Sequence, residues 1–365
     1  MLMFIIFPCL LLSVGARDIL SEPPVIDLTA LFEVNKTTKH NEEVKRVKEA
    51  IGQACGTWGF FQVVNHGISL QTIEDMHTTM LKFFDLPEAA KKSIKVSRNN
   101  SRGYNGKELT KQKVDMKEIF DVGHKPYPDL PDNHPQNTVV DGFNQWPDSE
   151  TLPHFRPAVE NFYTQCNLLA RLLMSVIAED FNMPASFFEE PFNFHTSFLR
   201  LNYYPLQNSS VSSSSALGVS RHTDAGGLTL LMQDYEGVSG LEVYSGSKED
   251  AGDGEWVPVL PVPGSLTINT GDMLQVWSND IYKAPEHRVR PSVRQKRYSA
   301  PFFYNPNYAS IIEPIPVSAP PLRYRPISWQ TFRQNRFLGD YENRGVETQI
   351  DDFKNEMVEV EAQIE

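Results

Sequence analysis

Phe198–Tyr204, with the sequence Phe-Leu-Arg-Leu-Asn-Tyr-Tyr, is the first of several short β-rich runs in residues 197–305. Gly, Pro, Asn and Asp separate these runs, as turn residues separate the strands of a sandwich or barrel. The other runs that we predict as strands are Leu228–Gln233, Leu241–Tyr244, Trp256–Leu260, Ser265–Asn269, Met273–Trp277 and Arg297–Tyr304. The sequence therefore predicts a mainly β core in this part of the chain.

Helices are predicted on both sides of the β-rich region. Apolar residues recur at helical spacing over residues 38–55, with Gly56 where a C-cap belongs. A second apolar stripe runs from Ile73 to Phe84, and the longest helix is predicted over residues 157–181. Residues 322–364 are again helical and charged in character. The expected fold is mainly β with flanking helices.

The composition excludes some classes of protein. The chain has 365 residues, of which 22 are Phe, 13 Tyr and 5 Trp, enough for a large core. The formal net charge is −12, and an acidic surface repels phosphate backbones, so we expect no nucleic-acid partner.

The N-terminus predicts a secretory signal peptide. Leu2–Val14 is almost continuously apolar, and Val14-Gly15-Ala16 favours cleavage after Ala16. The run is too short to span a bilayer comfortably, so no stable membrane span is expected after cleavage. The expected location is the secretory pathway or an organelle reached through it, such as the endoplasmic reticulum or plastid. An uncleaved anchor, or a simple extension of a cytoplasmic protein, remains the alternative. Cys55 and Cys166 would stay as two free thiols.

His222 and Asp224 are the first candidates for chemistry. At i and i+2 in a strand, both side chains point to the same face. With His287 they would make the two-His, one-carboxylate set of non-haem Fe(II) oxygenases, which leaves coordination positions open. The competing interpretation is that the tripeptide is fortuitous and that each buried His is merely hydrogen-bonded.

Arg297 and Ser299 also alternate onto one face of a predicted strand. A guanidinium binds a carboxylate through two parallel hydrogen bonds, and a neighbouring hydroxyl adds a third. The same face would then offer a metal and an anchor for a dicarboxylate. A surface ion pair is the ordinary alternative for Arg297.

Taken together, these motifs resemble those of the 2-oxoglutarate/Fe(II)-dependent dioxygenases of the isopenicillin N synthase-like superfamily. The resemblance extends from Pro23 to about Pro306. Its motifs are Pro24–Leu28, Gly59–Gly67, Phe83–Pro87, Arg102–Tyr104, Lys117–Asp121, Asn144–Pro147, Arg200–Pro205, His222–Leu231, Asn269–Asp272, His287–Val289 and Arg297–Phe303. It implies a double-stranded β-helix, or jelly-roll, core.

The resemblance also implies roles for individual residues. His222, Asp224 and His287 would be the iron ligands, and Arg297 and Ser299 would hold the distal carboxylate of 2-oxoglutarate. Tyr204, and with it Asn202, would hydrogen-bond near the iron-bound end of the co-substrate. His66 is expected to be structural, and Gly271-Asp272 a turn. Candidates for an apolar pocket wall, each with a plain core role as alternative, are Leu230, Met232, Val276 and Phe303.

The expected activity is oxidation of a small metabolite, by hydroxylation, desaturation or cyclisation, with 2-oxoglutarate and O2 giving succinate and CO2. Ascorbate is the expected reductant, biosynthesis of specialised metabolites the expected setting, and a monomer the expected state. The alternatives are an Fe(II) oxidase that ignores 2-oxoglutarate and a non-catalytic ligand-binding member of the fold.

These expectations divide the chain into four parts. Residues 1–16 form the signal peptide, and residues 17–190 form a helical and strand region packed on the core. Residues 191–310 form the jelly-roll core, and residues 311–365 a helical tail.

Overall fold

The computed structural model describes most of the chain. The described residues are 22–33, 37–97, 100–106, 109–110, 113–124, 129–131, 134, 142–206, 217–234, 240–246, 254–292, 294–315, 321–341 and 348–355. The predicted signal peptide lies outside them.

Helices flank the sheets in sequence. Their bounds are α1 Thr29–Phe32, α2 Thr38–Thr57, α3 Leu70–Phe84, α4 Glu88–Lys92, α5 Phe155–Asp180, α6 Asp272–Trp277 and α7 Trp329–Tyr341, followed by a 3-10 helix at Ile350–Phe353. Side-chain caps begin two of them: Thr37 accepts from the backbone N–H of His40, and Ser69 accepts from that of Thr72. No described helix is long and apolar enough to cross a membrane.

The strands form two principal sheets. Their bounds are β1 Val25–Asp27, β2 Phe60–Val64, β3 Gly103–Asn105, β4 Leu109–Thr110, β5 Lys113–Val114, β6 Glu118–Gly123, β7 Phe198–Tyr204, β8 Val219–His222, β9 Leu228–Gln233, β10 Leu241–Tyr244, β11 Trp256–Pro258, β12 Leu266–Thr270, β13 His287–Val289, β14 Arg297–Tyr304, β15 Ile311–Ile312 and β16 Ile327–Ser328. The large sheet has the order β1-β2-β12-β9-β14-β7-β6-β3, and the small sheet has the order β11-β10-β13-β8.

The two faces of the large sheet pack against different layers. One face, with Leu230, Ile268 and Phe302, joins the core cluster that includes the apolar stripes of α3 and α5. The other face, with Phe60 and Leu231, joins a second cluster that contains residues of the small sheet. Two sheets packed face to face with helices outside are the predicted jelly roll, and the prediction of this fold is confirmed.

Four strands, β7, β9, β10 and β14, have the predicted bounds, and other elements differ. The run Met273–Trp277, predicted as a strand, belongs to helix α6. Helix α2 continues past Gly56, and Gly59 is the residue that ends it, with φ +63°. A Cβ at Gly59 would lie 2.4 Å from the carbonyl oxygen of Lys283, so this turn requires glycine. Cys55 and Cys166 are buried and free, as predicted.

Candidate active site

His222, Asp224 and His287 meet at one end of the small sheet. His222 is the last residue of β8, His287 is the first of β13, and the two are register partners. The Nε2 atoms of His222 and His287 lie 3.5 and 3.6 Å from Oδ1 of Asp224. The structure thus brings the three predicted iron ligands together.

Backbone carbonyls orient both imidazoles. Nδ1 of His222 lies 2.8 Å from the carbonyl oxygen of Ser220, and Nδ1 of His287 lies 3.1 Å from that of Pro285. Since a carbonyl only accepts, each Nδ1 carries the proton and each Nε2 keeps its lone pair toward Asp224. This tautomer is the one that binds a metal.

Asp224 lies in the loop after β8, so strand alternation is not what aims it at His222. Its Oδ2 accepts hydrogen bonds from Thr229 Oγ1 at 2.6 Å and Asn269 Nδ2 at 2.8 Å. Its backbone carbonyl accepts from the N–H of Asp272 at 2.7 Å. These contacts leave Oδ1 to face the two histidines.

The protonation states suit metal binding. Burial alone would raise the pKa of Asp224, but the neighbouring His287 and His222 and the hydrogen bond from Asn269 outweigh it and hold the pKa well below its ordinary value. Burial, and then the neighbouring His222, lowers the pKa of His287 to about 4, so this imidazole is neutral at pH 7.

The spacing of the donor atoms fits one ion. Potential ligand atoms of the three residues all lie within 4.8 Å of one another. Two ligand atoms that each lie ~2.1 Å from one ion, at right angles to each other, are ~3 Å apart. Small side-chain shifts would therefore bring the three donor atoms to distances at which they can bind one ion. Two imidazoles and one carboxylate are the donors that non-haem Fe(II) prefers.

Arg297 is a buried cation in the same cavity. Its side chain is 2% exposed, and within the described parts of the chain no carboxylate lies in ion-pair distance of it. Its Nη1 donates to Ser299 Oγ at 3.4 Å, its Nη2 donates to Gln233 Oε1 at 3.3 Å, and its Nε has no described acceptor. A buried guanidinium with spare donors is suited to a carboxylate ligand.

Asn202 and Tyr204 lie beside Arg297 on the neighbouring strand. Arg297 is the register partner of Tyr204, and Ser299 that of Asn202. The Arg297 guanidinium lies 4.9 Å from the Tyr204 ring centroid, and Asn202 Nδ2 donates to Ser299 Oγ at 3.3 Å. The four predicted co-substrate residues therefore share one wall.

The predicted apolar wall is corrected at three of its four positions. Phe303 lines the cavity with the triad, but Leu230, Met232 and Val276 belong to the core on the helical side. On β9 it is Leu231 and Thr229 that face inward, because side chains alternate along a strand. Val276 was misplaced because its segment is helical.

The volume of a cavity does not identify the candidate site. A cavity of about 740 Å³ lies between α5 and residues 185–195, whereas the cavity that holds the triad measures about 80 Å³. The smaller cavity contains His222, Asp224, His287 and Arg297 together, so it is the candidate site.

Several polar residues of the site had no role in the sequence interpretation. Asn269 and Thr229 orient Asp224, and Arg200 and Lys117 line the cavity. Arg200 could have been found, since it alternates with Asn202 and Tyr204 in the quoted motif. Arg336 of α7 could not, because its contact with the carbonyl oxygen of Thr223, at 3.0 Å, crosses 113 positions of the chain.

His66 makes its contacts away from the triad, whereas Asp272 contacts Asp224 through its backbone N–H. His66 Nε2 contacts the carbonyl oxygen of Gly264 at 3.1 Å, and its Nδ1 accepts from the N–H of Ile68. Asp272 is buried at the start of α6, where the sequence predicted a turn. The contact of His66 with Ile68 is local, the contact with Gly264 spans 198 positions of the chain, and both are with the backbone.

Two family models match the chain. Residues 23–149 match the non-haem dioxygenase in morphine synthesis N-terminal family, and residues 195–306 match the 2OG-Fe(II) oxygenase superfamily. Among curated relatives, gibberellin 2-beta-dioxygenase 8 of Arabidopsis thaliana is 34% identical over 86% of this chain and 81% of its own. The 2-oxoglutarate-dependent dioxygenase caaD of Aspergillus niger is 34% identical over 78% of this chain and 84% of its own.

Solved structures agree with these matches. A Neurospora crassa enzyme in complex with alpha-KG and thymine has TM-score 0.73 at 28% identity, covering 87% of this chain and 96% of that one. JOX2 in complex with 2OG, Fe and JA has TM-score 0.69 at 30% identity, covering 85% of this chain and 83% of that one.

Proposed function

This chain belongs to the 2OG-Fe(II) oxygenase superfamily and is a 2-oxoglutarate-dependent dioxygenase, and from that premise we propose the roles of its residues and the reaction. The reaction consumes one C–H substrate, 2-oxoglutarate and O2, and gives succinate, CO2 and an oxidised product. The observation that supports it most is the approach of two Nε2 atoms to Oδ1 of Asp224, at 3.5 and 3.6 Å.

Iron is held, in this proposal, by Nε2 of His222, Oδ1 of Asp224 and Nε2 of His287. The bound Fe(II) supplies the redox chemistry that activates O2, and three protein ligands leave positions for co-substrate and O2. The protein's part is to keep the imidazole of His287 neutral, the carboxylate of Asp224 ionised and the second oxygen of that carboxylate occupied by Thr229 and Asn269.

The distal carboxylate of 2-oxoglutarate is held by Arg297 and Ser299. The Nε of Arg297 supports this role, because it is a buried donor without a described acceptor and a carboxylate oxygen can accept from it. Tyr204 packs its ring on the guanidinium, which keeps water away from the charge pair. Asn202 then orients Ser299 and reaches the co-substrate from the side.

The substrate is a small metabolite bound between the two sheets. Phe60, Leu231 and Phe303 provide apolar contact in the cavity that holds the triad. The relatives include a gibberellin 2-beta-dioxygenase, a jasmonate-induced oxygenase and a fungal 2-oxoglutarate-dependent dioxygenase. These names support a role in specialised-metabolite biosynthesis. Hydroxylation is the simplest outcome. Desaturation and cyclisation are alternative outcomes that begin with the same oxidation of a C–H bond.

The setting of the reaction completes the proposal. The enzyme acts as a monomer, with ascorbate as reductant, in a compartment reached through the secretory pathway. N-terminal sequencing of protein from its native cells tests the last point. A mature start at Arg17 would support the compartment, and an intact Met1 would return the protein to the cytoplasm.

Substrate-stimulated succinate release tests the reaction itself. Purified protein with Fe(II), ascorbate, 2-oxoglutarate and O2 is given a panel of small metabolites, with Asp224→Ala as the control. We expect at least one compound to raise succinate release in the wild type only. Product at full rate without 2-oxoglutarate would favour the oxidase, and iron binding without turnover of any compound would favour the non-catalytic alternative.

A further inference from the structure

Gln233 is a buried side chain that lies behind the proposed anchor for 2-oxoglutarate. It is 3% exposed on β9, where it is the register partner of Ser299 on β14. Its Oε1 accepts a hydrogen bond from Arg297 Nη2 at 3.3 Å. Arg297 and Ser299 line the cavity that holds the triad, but Gln233 does not. Gln233 can therefore influence a ligand in that cavity only through Arg297.

A second hydrogen bond fixes which way the amide of Gln233 points. Its Nε2 donates to Thr267 Oγ1 at 3.0 Å, on the neighbouring strand β12. The opposite orientation of the amide would place its NH2 group against the guanidinium of Arg297, and two donors cannot bond to each other. Both contacts therefore favour the orientation in which the carbonyl oxygen of the amide faces Arg297.

Three protein groups hold the guanidinium of Arg297. The ring of Tyr204 lies against it, with 4.9 Å between the guanidinium and the ring centroid. Ser299 Oγ accepts from Nη1 at 3.4 Å, and Gln233 Oε1 accepts from Nη2 at 3.3 Å. A guanidinium has five N–H donors in one plane, so these two acceptors fix the plane and leave donors for a ligand. Nε is one of these donors, since it has no acceptor among the described residues.

Both described acceptors of the Arg297 side chain are uncharged. A hydroxyl and an amide orient the guanidinium but leave its charge unpaired, although Arg297 is only 2% exposed. A buried charge without a partner is costly, and a carboxylate ligand would pair it. A carboxylate side chain in place of the amide would pair the same charge within the protein and compete with that ligand. The neutral amide at position 233 therefore preserves the affinity of the cavity for an anionic ligand.

We propose that Gln233 is a positioning residue that makes the site selective for a dicarboxylate co-substrate, an inference that rests on the proposed role of Arg297 and deepens it. The hydrogen bond from Arg297 to Gln233 fixes the plane of the guanidinium. The absence of charge on Gln233 leaves Arg297 able to pair with the distal carboxylate of 2-oxoglutarate. A 2-oxo acid of the same length without that carboxylate, 2-oxopentanoate, cannot form this ion pair.

The ratio of the affinities for these two 2-oxo acids tests the inference by binding, without turnover. The anaerobic protein with Fe(II) is titrated by calorimetry with 2-oxoglutarate and with 2-oxopentanoate. We expect the wild type to bind 2-oxoglutarate at least about 100-fold more tightly than 2-oxopentanoate. In Gln233→Glu, whose side chain has the same size, the ratio should fall below about tenfold, because the new carboxylate pairs with Arg297. The affinity for Fe(II) alone should be unchanged.

Gln233→Leu separates the effect of the hydrogen bond from that of the charge. It removes the acceptor but adds no carboxylate, so the affinity for 2-oxoglutarate should fall only about three- to tenfold, less than in Gln233→Glu. Gln62→Leu is the matched control, because Gln62 is also a buried glutamine, 5% exposed, on strand β2. Its partners are Leu260, Val262 and Ser265, so this variant should keep the wild-type affinity and ratio.

Three outcomes would overturn the inference. These are a wild-type ratio in Gln233→Glu, equal losses of affinity in Gln233→Glu and Gln233→Leu, or an equal loss in Gln62→Leu. A wild type that binds both acids equally would instead contradict the proposed co-substrate site, so the two failures are distinguishable. Circular dichroism verifies that each variant is folded. If Gln233→Glu does not fold, the comparison of Gln233→Leu with Gln62→Leu decides the matter, and equal affinities for 2-oxoglutarate would then overturn the inference.

Discussion

The two oxygens of Asp224 have different tasks. Thr229 and Asn269 occupy Oδ2, and the histidines face Oδ1. Since partners of this kind orient metal ligands, their loss usually costs 10- to 100-fold in metal affinity. The hydroxyl of Thr229 thus belongs to the proposed metal site although it offers no ligand atom.

Thr229→Val should weaken Fe(II) binding about tenfold while preserving the shape of the side chain. The measurement is anaerobic Fe(II) titration. Thr267→Val is the control, because Thr267 is an equally buried threonine whose hydroxyl accepts from Gln233 and does not contact Asp224. Equal iron affinity in the two variants would contradict the role given to Thr229.

Arg297→Lys keeps the charge but loses the planar fork. We expect the 2-oxoglutarate concentration for half-maximal succinate release to rise more than about tenfold, or about 1.4 kcal/mol. Ser299→Ala removes one hydrogen bond and should cost about 0.5–1.5 kcal/mol. A larger effect at Ser299 than at Arg297 would reverse the assignment of the main anchor.

The loop between β8 and β9 depends on the segment before α6. The backbone N–H groups of Gly271, Asp272 and Met273 donate to the carbonyls of Gly227, Asp224 and Gly226, at 2.8, 2.7 and 3.0 Å. These bonds fix the backbone of Asp224. Through these bonds the segment Asn269–Asp272 lies beside the triad and supports it with its backbone, without a catalytic side chain of its own.

Gly271→Ala should therefore disturb the metal site. A Cβ at Gly271 would lie 2.3 Å from the carbonyl oxygen of Gly226, so the loop that carries Asp224 must move. We expect Fe(II) affinity to fall about tenfold or more. Gly56→Ala is the control, since a Cβ there meets only the carbonyl oxygen of Ile281 at 3.5 Å. Matching iron affinities would show that the loop tolerates the shift.

At the level of the whole molecule, buried histidines make stability depend on pH. The rings of His124 and His195 stack at 4.2 Å. Burial, with a further contribution from His124 and Arg171, lowers the pKa of His195 to about 3, and burial lowers the pKa of His124 to about 4. The unfolded chain, with ordinary histidines, takes up protons first as the pH falls below about 6.5.

Acid should therefore reduce the free energy of unfolding. His195 stays neutral in the folded protein, and its full contribution to the free energy of unfolding is present above pH ~6.5. This contribution decreases as the pH falls toward the folded pKa, and about 2 kcal/mol of it is lost at pH 5. Between pH 7 and pH 5, the free energy of unfolding of His195→Gln should therefore fall by about 2 kcal/mol less than that of the wild type, as measured by urea unfolding. The exposed His154→Gln should match the wild type. An unchanged pH dependence in His195→Gln would contradict the neutral, buried state.

The buried thiols should leave function insensitive to redox state. Burial raises the pKa of Cys55 and of Cys166, so neither is a reactive thiolate at neutral pH. We expect thiol reagents to label both only after unfolding and succinate release to be the same with and without reductant. Rapid labelling of the native protein at either position would contradict this.

Sequence patterns predicted the parts of the fold that depend on local periodicity. Strands β7, β9 and β14 and the stripes of α2, α3 and α5 follow from alternation and helical spacing. Helix α6 was missed because a run of five largely apolar residues fits a buried strand and a buried helix equally well. The choice is made by the backbone bonds to residues 224–227, which are tertiary contacts.

The candidate site was predictable where ligand types stand in a motif. His222, Asp224, His287 and Arg297 followed from residue chemistry and resemblance. The prediction of an apolar wall was wrong at Leu230 and Met232. Pairing of β9 with β12 and β14 decides which of its alternating side chains face each layer, and this pairing is not visible in the sequence of β9.

The most direct test of the central claim is anaerobic formation of the visible absorption band of Fe(II)-chelated 2-oxoglutarate. Fe(II) is added to purified protein with 2-oxoglutarate, in the wild type and in Asp224→Ala, with circular dichroism to verify the fold. We predict a saturating band near one equivalent of Fe(II) for the wild type and none for Asp224→Ala at the same concentrations. A folded Asp224→Ala protein with the wild-type band, or a folded wild type without one, would contradict the account.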